Sequence, residues 1–417
     1  MNGSNKKNKF QINEIIDIDD NPFDRQERIA WWDQKKLKNA KVMVVGAGAI
    51  GNETLKNLAL LGIGNIFIVD FDTVSTSNLS RTVLFRQADK GKKKAEIAAS
   101  RTKELSLLEE IKIGWFHGDA VWELGTGVFR SMDIVLGCLD NVETRFAINR
   151  QCWLANTPWI DSGIYELGGH VSVFVPPEPP CYQCGATNEQ LIAARKRYSC
   201  DDFKRAVLDE GKMPTVQITS SIISAIQVQE AIKFLCGQPV SHGKKIYFQG
   251  KINDFDVLGL PVKNDCMGHV TYPDIIPLPL THSVTLKDFL KYVTQDQYSG
   301  TDATLDFRSD RTFVVSVSCK NCGVNIEMYK PAFRIFDTET VCHNCKSKGV
   351  QGVQDKEQTT TKQIEVDFSL FTTSSKMLEM SLAELGIPNH HVVAVFDKHN
   401  NYKYYELSED QPIFQTC

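Results

Sequence analysis

The chain has 417 residues, 42% of them hydrophobic and 24% charged, with a formal net charge of -4 and a pI near 6.2. That length supports two or three domains with cores of their own, and the near-neutral balance excludes general nucleic-acid binding through charge. There is no run of about 18 apolar residues, which excludes a membrane-spanning helix; MNGSNKKNKFQINEIIDIDD lacks the apolar stretch of a secretory signal, so residues 1–20 are expected to be a disordered tail on a cytoplasmic protein.

From residue 41 apolar runs alternate with amphipathic ones. KVMVV reads as a strand, Gly51–Leu61 as a helix, NIFIVD as a strand, Gly91–Leu105 as a helix, and IKIGWF and MDIVLGCLD as strands. That alternation predicts α/β architecture with a doubly wound, Rossmann-like parallel sheet. TPWIDSGIYELGGHVSVFV continues in strands. Met213–Cys236 reads as a helix apolar nearly all round, hence buried. KKIYFQG and DFDVLGLPV add strands. PDIIPLPL (273–280), with three prolines, reads as an interdomain linker. A short amphipathic helix (Leu286–Val293), two CxxC pairs, a polar stretch (Gln354–Gln363) and a strand–helix–strand unit near IEVDFSL, SLAELGI and HVVAVFD follow.

Gly46, Gly48 and Gly51 form GxGxxG between a strand and a helix, where bare backbone lets phosphates approach a positive helix N-terminus. Asp70, at the end of the next strand, suits a ribose hydroxyl. On these residues alone NAD, FAD and ATP all remain open. The following motifs shift the balance: Asp72 in VDFD, Ser77, Asn78 and Arg81 in SNLSR, Lys94 in GKKKAE, and Asp140 and Asn141 in LDN. Two cations and a carboxylate near strand ends suit a triphosphate with its metal better than a nicotinamide. An NAD-dependent oxidoreductase and an inactive binding scaffold are the competing classes.

The set FDRQ, GAGAIG, VDFD, SNLSR, GKKKAE, LDN, a CxxC, a cysteine-bearing loop and a long apolar helix, in this order over about residues 21–275, resembles the ThiF/MoeB superfamily of ubiquitin-like protein activating enzymes. The resemblance implies ATP on Gly46, Gly48, Gly51, Asp70, Asp72, Ser77, Asn78, Arg81, Lys94 and Asn141, with Mg2+ on Asp140. Arg25 in FDRQ matches an arginine that reaches into the partner subunit's site, which implies a homodimer. A single adenylation domain implies a bacterial- or archaeal-type enzyme. The implied activity is adenylation of the C-terminal glycine of a ubiquitin-like β-grasp protein. Such a carboxylate, with a pKa of about 3.5, is already ionised, so the task is alignment of two anions by cations rather than proton transfer. In thioester-forming relatives a cysteine in the crossover loop, here about residues 185–212, takes the acyl group. Cys200 matches it, and Arg195, Lys196 and Arg197 would favour its thiolate while Asp201 and Asp202 oppose them. Transfer to a conjugating enzyme would follow. The alternative within adenylation is MoeB/ThiF-like activation of a sulfur carrier for cofactor or tRNA thiolation.

Twelve cysteines include three CxxC pairs, and in a reducing compartment such spacing points to zinc. Cys181 and Cys184 need two more ligands. The family has a second CxxC after the last strand of this domain; here DCMGH offers Cys266 and His269 at the same spacing, preferred over a later CxxC because that leaves the later two pairs to each other. Cys319, Cys322, Cys342 and Cys345 have zinc-ribbon spacing, so two structural zinc sites are expected, with His343 outside the ligand set. Cys138 and Cys236 are expected in the core. Residues 276–417 are expected to form a smaller α+β C-terminal domain with the ribbon and a ubiquitin-fold-like part, reorienting on its linker to recruit a conjugating enzyme or the ubiquitin-like protein.

Overall fold

The structure, a computed structural model, describes residues 21–187, 189–190, 215–297, 305–308, 311, 313–319, 322–335, 339, 342–344, 359–361, 368–369, 375–397, 402–408 and 413–414. The expected disordered tail, most of the crossover loop with Cys200, and Cys345 lie outside these residues.

Two short helices, α1 (Asp24–Glu27) and α2 (Gln34–Asn39), lead into an eight-stranded sheet. Its parallel part runs β3 (Lys112–Phe116), β2 (Asn65–Val69), β1 (Lys41–Val45), β4 (Ile134–Cys138), β5 (Trp159–Tyr165). β6 (Gly168–Phe174), β7 (Lys244–Gln249) and β8 (Asp254–Gly259) extend it in antiparallel fashion. Val42, Val44, Ile66 and Ile68 face α3 (Ala49–Leu60), α4 (Lys94–Leu105) and α7 (Gln217–Leu235). Met43, Val45, Phe67 and Val69 face α5 (Thr126–Arg130) and α6 (Val142–Leu154). Both faces of the central strands are covered, which is why they read as unbroken apolar runs. This is the doubly wound α/β fold.

Helix α6 carries no clear apolar periodicity, because Arg145, Asn149 and Gln151 are buried along with its apolar residues. Helix α7 is buried on one face rather than all round. Ile218 is 64% exposed, while Gln227 is fully buried. The Gln227 amide donates to the carbonyls of Gly137 and Ile160 at 3.0 and 2.9 Å, pinning α7 across the ends of β4 and β5. A polar residue therefore anchors the helix on the sheet.

The proline-rich stretch is not a free linker. Ile275–Leu278 forms β9, which pairs in parallel with β16 (Tyr402–Leu407). It lies at the edge of a five-stranded sheet, where the missing N–H of Pro277 is tolerated. The order of that sheet is β14 (Phe368–Ser369), β10 (Leu305–Arg308), β15 (Val392–Asp397), β16, β9. Helix α8 (Leu286–Gln297) packs on it through Leu286, Phe289, Leu290 and Val293, all buried. SLAELGI forms turns, and a short helix, α9 (Ser375–Leu378), precedes it. A separate three-stranded sheet, β12 (Asn325–Pro331), β11 (Phe313–Cys319) and β13 (Thr359–Thr361), carries cysteines.

This smaller unit is packed firmly onto the first. The Gly127 N–H donates to the His390 carbonyl at 2.6 Å, and Arg130 pairs with buried Glu406. Trp122 stacks on Phe333 at 5.2 Å between ring centroids, and Arg311 donates to the carbonyls of Trp122 and Leu124. Phe414 meets Phe67 edge-on, and Gly114 has room for the Ile413 backbone because it lacks a side chain. A reorientation of the smaller unit on its linker would have to break these contacts. No helix among the described residues is long and apolar enough to cross a membrane.

Candidate nucleotide site and cysteine clusters

The ends of β1 and β2 meet the start of α3 at the glycine turn. Gly46 has φ +96°, a left-handed value that favours glycine, and a Cβ there would lie 2.4 Å from the Cys138 carbonyl at the end of β4. A Cβ on Gly51 would lie 1.9 Å from the Gly46 carbonyl. These two glycines are demanded by packing. Gly48 is different: it caps α3 with φ -76°, open to any residue, and a Cβ there would meet nothing within 4 Å. Its bare backbone leaves open space over the N-terminus of α3, a fit for a phosphate group.

Asp70 ties the turn together. Its carboxylate accepts from the Ala47 and Asp72 N–H groups, each at 2.7 Å. Burial raises its pKa, against the pull of Lys94. Asn52 donates to the Ala47 and Gly48 carbonyls at 2.7 and 3.0 Å and accepts from Leu84 N–H at 2.9 Å. It is fully buried, and its place in the helix hid this role in the sequence.

Lys94, buried at the first turn of α4, pairs with exposed Asp72 at 2.8 Å. Asn78 accepts from Ser75, and the Ser77 hydroxyl lies 3.0 Å from that of Ser75. Arg81 donates to the Thr215 hydroxyl at 3.1 Å, just before α7. Asp140 is exposed beyond β4; Asn141 donates to its Oδ1 at 3.1 Å and caps α6. Its Oδ2 has no hydrogen-bond partner among the described residues, so one oxygen is available to a cation.

Arg25 sits elsewhere. Phe23 packs against Gly62, and Gln26 donates to the Leu61 carbonyl at 3.2 Å, which fixes α1 at the far end of α3. Twelve helical residues separate that end from Gly48, about 18 Å at the usual rise. Arg25 is exposed and has no hydrogen-bond or ion-pair partner among the described residues.

The sulfur atoms of Cys181, Cys184 and Cys266 and a ring nitrogen of His269 all lie within 4.8 Å of one another. Cys181 is 3.9 Å from Cys184 and 3.6 Å from Cys266, and Cys184 is 3.1 Å from His269 Nε2. Four ligands about 2.3 Å from a tetrahedral zinc stand roughly 3.8 Å apart, so the donor set fits zinc. Cys266 and His269, rather than a later CxxC, are the residues that lie beside Cys181 and Cys184. A second cluster joins Cys319, Cys322 and Cys342, with Cys322 and Cys342 3.5 Å apart. The expected fourth ligand, Cys345, lies outside the described residues, and His343 is exposed and outside the cluster. Cys138 and Cys236 are buried, as expected of core residues.

Residues 23–267 match the ThiF family. The chain belongs to that family, within the ThiF/MoeB superfamily of activating enzymes. It is 39% identical over 165 residues to SUMO-activating enzyme subunit 2 of Dictyostelium discoideum, covering 39% of this chain and 24% of that protein. It is 31% identical over 268 residues to the adenylyltransferase and sulfurtransferase MOCS3 of Aedes aegypti, covering 62% of this chain and 58% of that protein. The chain thus matches a quarter to about three fifths of these curated relatives. Among solved structures, E. coli MccB with ATP matches at a TM-score of 0.50 and 25% identity, over 60% of this chain and 75% of that one.

Proposed function

We propose that the chain uses ATP to adenylate the C-terminal carboxylate of a ubiquitin-like β-grasp protein. The observation that carries the reading is the open N-terminus of α3 at Gly48, where Asp70 accepts from the Ala47 and Asp72 N–H groups and Asp72 in turn pairs with Lys94. Asp70 would hold the ribose, the α3 N-terminus, Lys94 and Arg81 the phosphates, with Asn78, Ser77 and Asn141 lining the site. Mg2+ on Asp140 would offset phosphate charge. The incoming carboxylate oxygen bonds to the α-phosphorus as the bond to pyrophosphate breaks. No base is required, so these residues align and screen charge.

Arg25 lies too far from its own glycine turn to serve it, which supports a homodimer with shared sites. Both cysteine clusters would hold structural zinc, two ions per chain, with Cys345 completing the second. A domain boundary near 275, cytoplasmic location and a bacterial- or archaeal-type pathway complete the reading.

After adenylation, attack by Cys200 would expel AMP and leave a thioester for a conjugating enzyme. The MOCS3 match, longer than the SUMO-activating one, favours a second reading in which the adenylate instead accepts sulfur. ATP–pyrophosphate exchange tests the common step: exchange that needs the ubiquitin-like protein supports adenylation, and its absence with every candidate carrier overturns it. Cys200→Ala then separates the two. It abolishes a thiol-sensitive adduct under the thioester reading and spares activity under the sulfur-carrier reading.

A further inference from the structure

Arg145 and Asp161 form a buried ion pair beneath the candidate site. Arg145 is 9% exposed and Asp161 0%. Arg145 Nε donates to Asp161 Oδ1 at 2.8 Å, and Nη2 donates to the carbonyls of Leu139 at 2.7 Å and Ser162 at 3.0 Å. One guanidinium therefore ties the end of β4 to β5. Its planar fork suits this, whereas a lysine has a single nitrogen to share. His170 stands 3.5 Å from the second Asp161 oxygen. Burial pushes the Asp161 pKa up, but Arg145 and His170 outweigh it and hold the carboxyl below its ordinary range, so it stays charged. A Cβ on Gly163 would come within 3.0 Å of Arg145 Nη2 and 2.6 Å of His170, so the strand makes room for the pair.

Leu139 immediately precedes Asp140. On its other side Asn141 caps α6 and donates to Asp140 Oδ1. Asp140 is thus exposed but held between two fixed neighbours. We propose that Arg145 is a positioning residue: by fixing the Leu139 carbonyl it aims the free oxygen of Asp140 at the divalent cation that accompanies the nucleotide. The inference rests on Asp140 as cation ligand.

The test is Mn2+ affinity of the full chain with a non-hydrolysable ATP analogue, read by electron paramagnetic resonance, beside AMP affinity measured without metal. Arg145→Lys is expected to weaken Mn2+ binding roughly tenfold, the scale of an outer-shell loss, with AMP binding within about twofold of the parent. Arg145→Gln combined with Asp161→Asn removes both buried charges and is expected to show the same selective loss; it carries the test if the lysine variant does not fold. Unchanged Mn2+ affinity in a folded variant, or AMP affinity falling in step with it, overturns the inference. Asp140→Ala distinguishes the underlying reading: if that variant binds Mn2+ normally, Asp140 is not the ligand and both fall.

Discussion

Gly48 and Gly51, three positions apart, should answer substitution in opposite ways. Gly48→Ala places a methyl in open space, so the melting temperature should hold while ATP binding, read by calorimetry, weakens by roughly tenfold, about 1.4 kcal/mol. Gly51→Ala drives a methyl into the Gly46 carbonyl and should destabilise the fold by roughly 1–3 kcal/mol or more in denaturant titrations. Equal effects of the two would refute this division. Asp119 offers a pH-dependent test. Burial, with Glu123 nearby, raises its pKa to about 6 against the pull of Arg311. A carboxyl raised on folding binds protons more tightly in the native state, so its penalty appears as pH rises from 3.8 through about 6. Asp119→Asn can still accept from the Val121 N–H and should flatten that decline in melting temperature; an unchanged pH profile would count against it. The glycines and Asp70 were legible as residue types. The different duties of Gly48 and Gly51 were not, because they depend on where the Gly46 carbonyl lies.

Helix α6 links the two kinds of site. Asn141 caps its start beside Asp140, while near its end Trp153, 1% exposed, stacks on His269 at 4.6 Å. The Tyr182 N–H, next to Cys181, donates to Asn149 on the same helix at 3.0 Å. His269→Ala should lower bound zinc by one ion per chain in metal analysis and loosen the end of α6. Structural zinc contributes of order 10 kcal/mol in small isolated units, so even the fraction expressed in this larger core should lower the melting temperature clearly. Full zinc content in that variant would remove His269 from the ligand set. Strands and GxGxxG were readable because period and spacing are local. Helix α6 was missed because its buried face is filled by hydrogen-bonded polar residues rather than an apolar stripe; β16 pairs on one side with its chain neighbour β15, and only its other partner, β9, lies far away in the chain.

At the scale of the whole molecule, the smaller unit closes on α5 through glycines. A Cβ on Gly127 would lie 2.2 Å from a Glu406 carboxylate oxygen and 2.6 Å from the His390 carbonyl. Gly127→Val should therefore prise the units apart, seen as faster proteolysis between them and a lower melting temperature. Arg130→Ala strands the buried carboxylate of Glu406 without its charged partner and should cost roughly 1–3 kcal/mol. If Gly127→Val leaves proteolysis unchanged, the packed arrangement is not maintained in solution. Mixing Arg25→Ala with Asp140→Ala protein should restore part of the exchange activity, since some mixed dimers would hold one complete site; no recovery after confirmed subunit exchange argues against sharing.

By itself the sequence determined what depends on local order: alternating strands and helices, the nucleotide turn, the chain of ThiF-like motifs, and the cysteine spacings. Each is set by backbone period or by residues a few positions apart. Tertiary structure alone decided which distant donors meet. It made the proline stretch an edge strand, placed Arg25 a helix length from its own glycine turn, and put Arg145 under the residue before Asp140. Those outcomes depend on which buried polar groups can satisfy one another across the fold, and no local pattern records that.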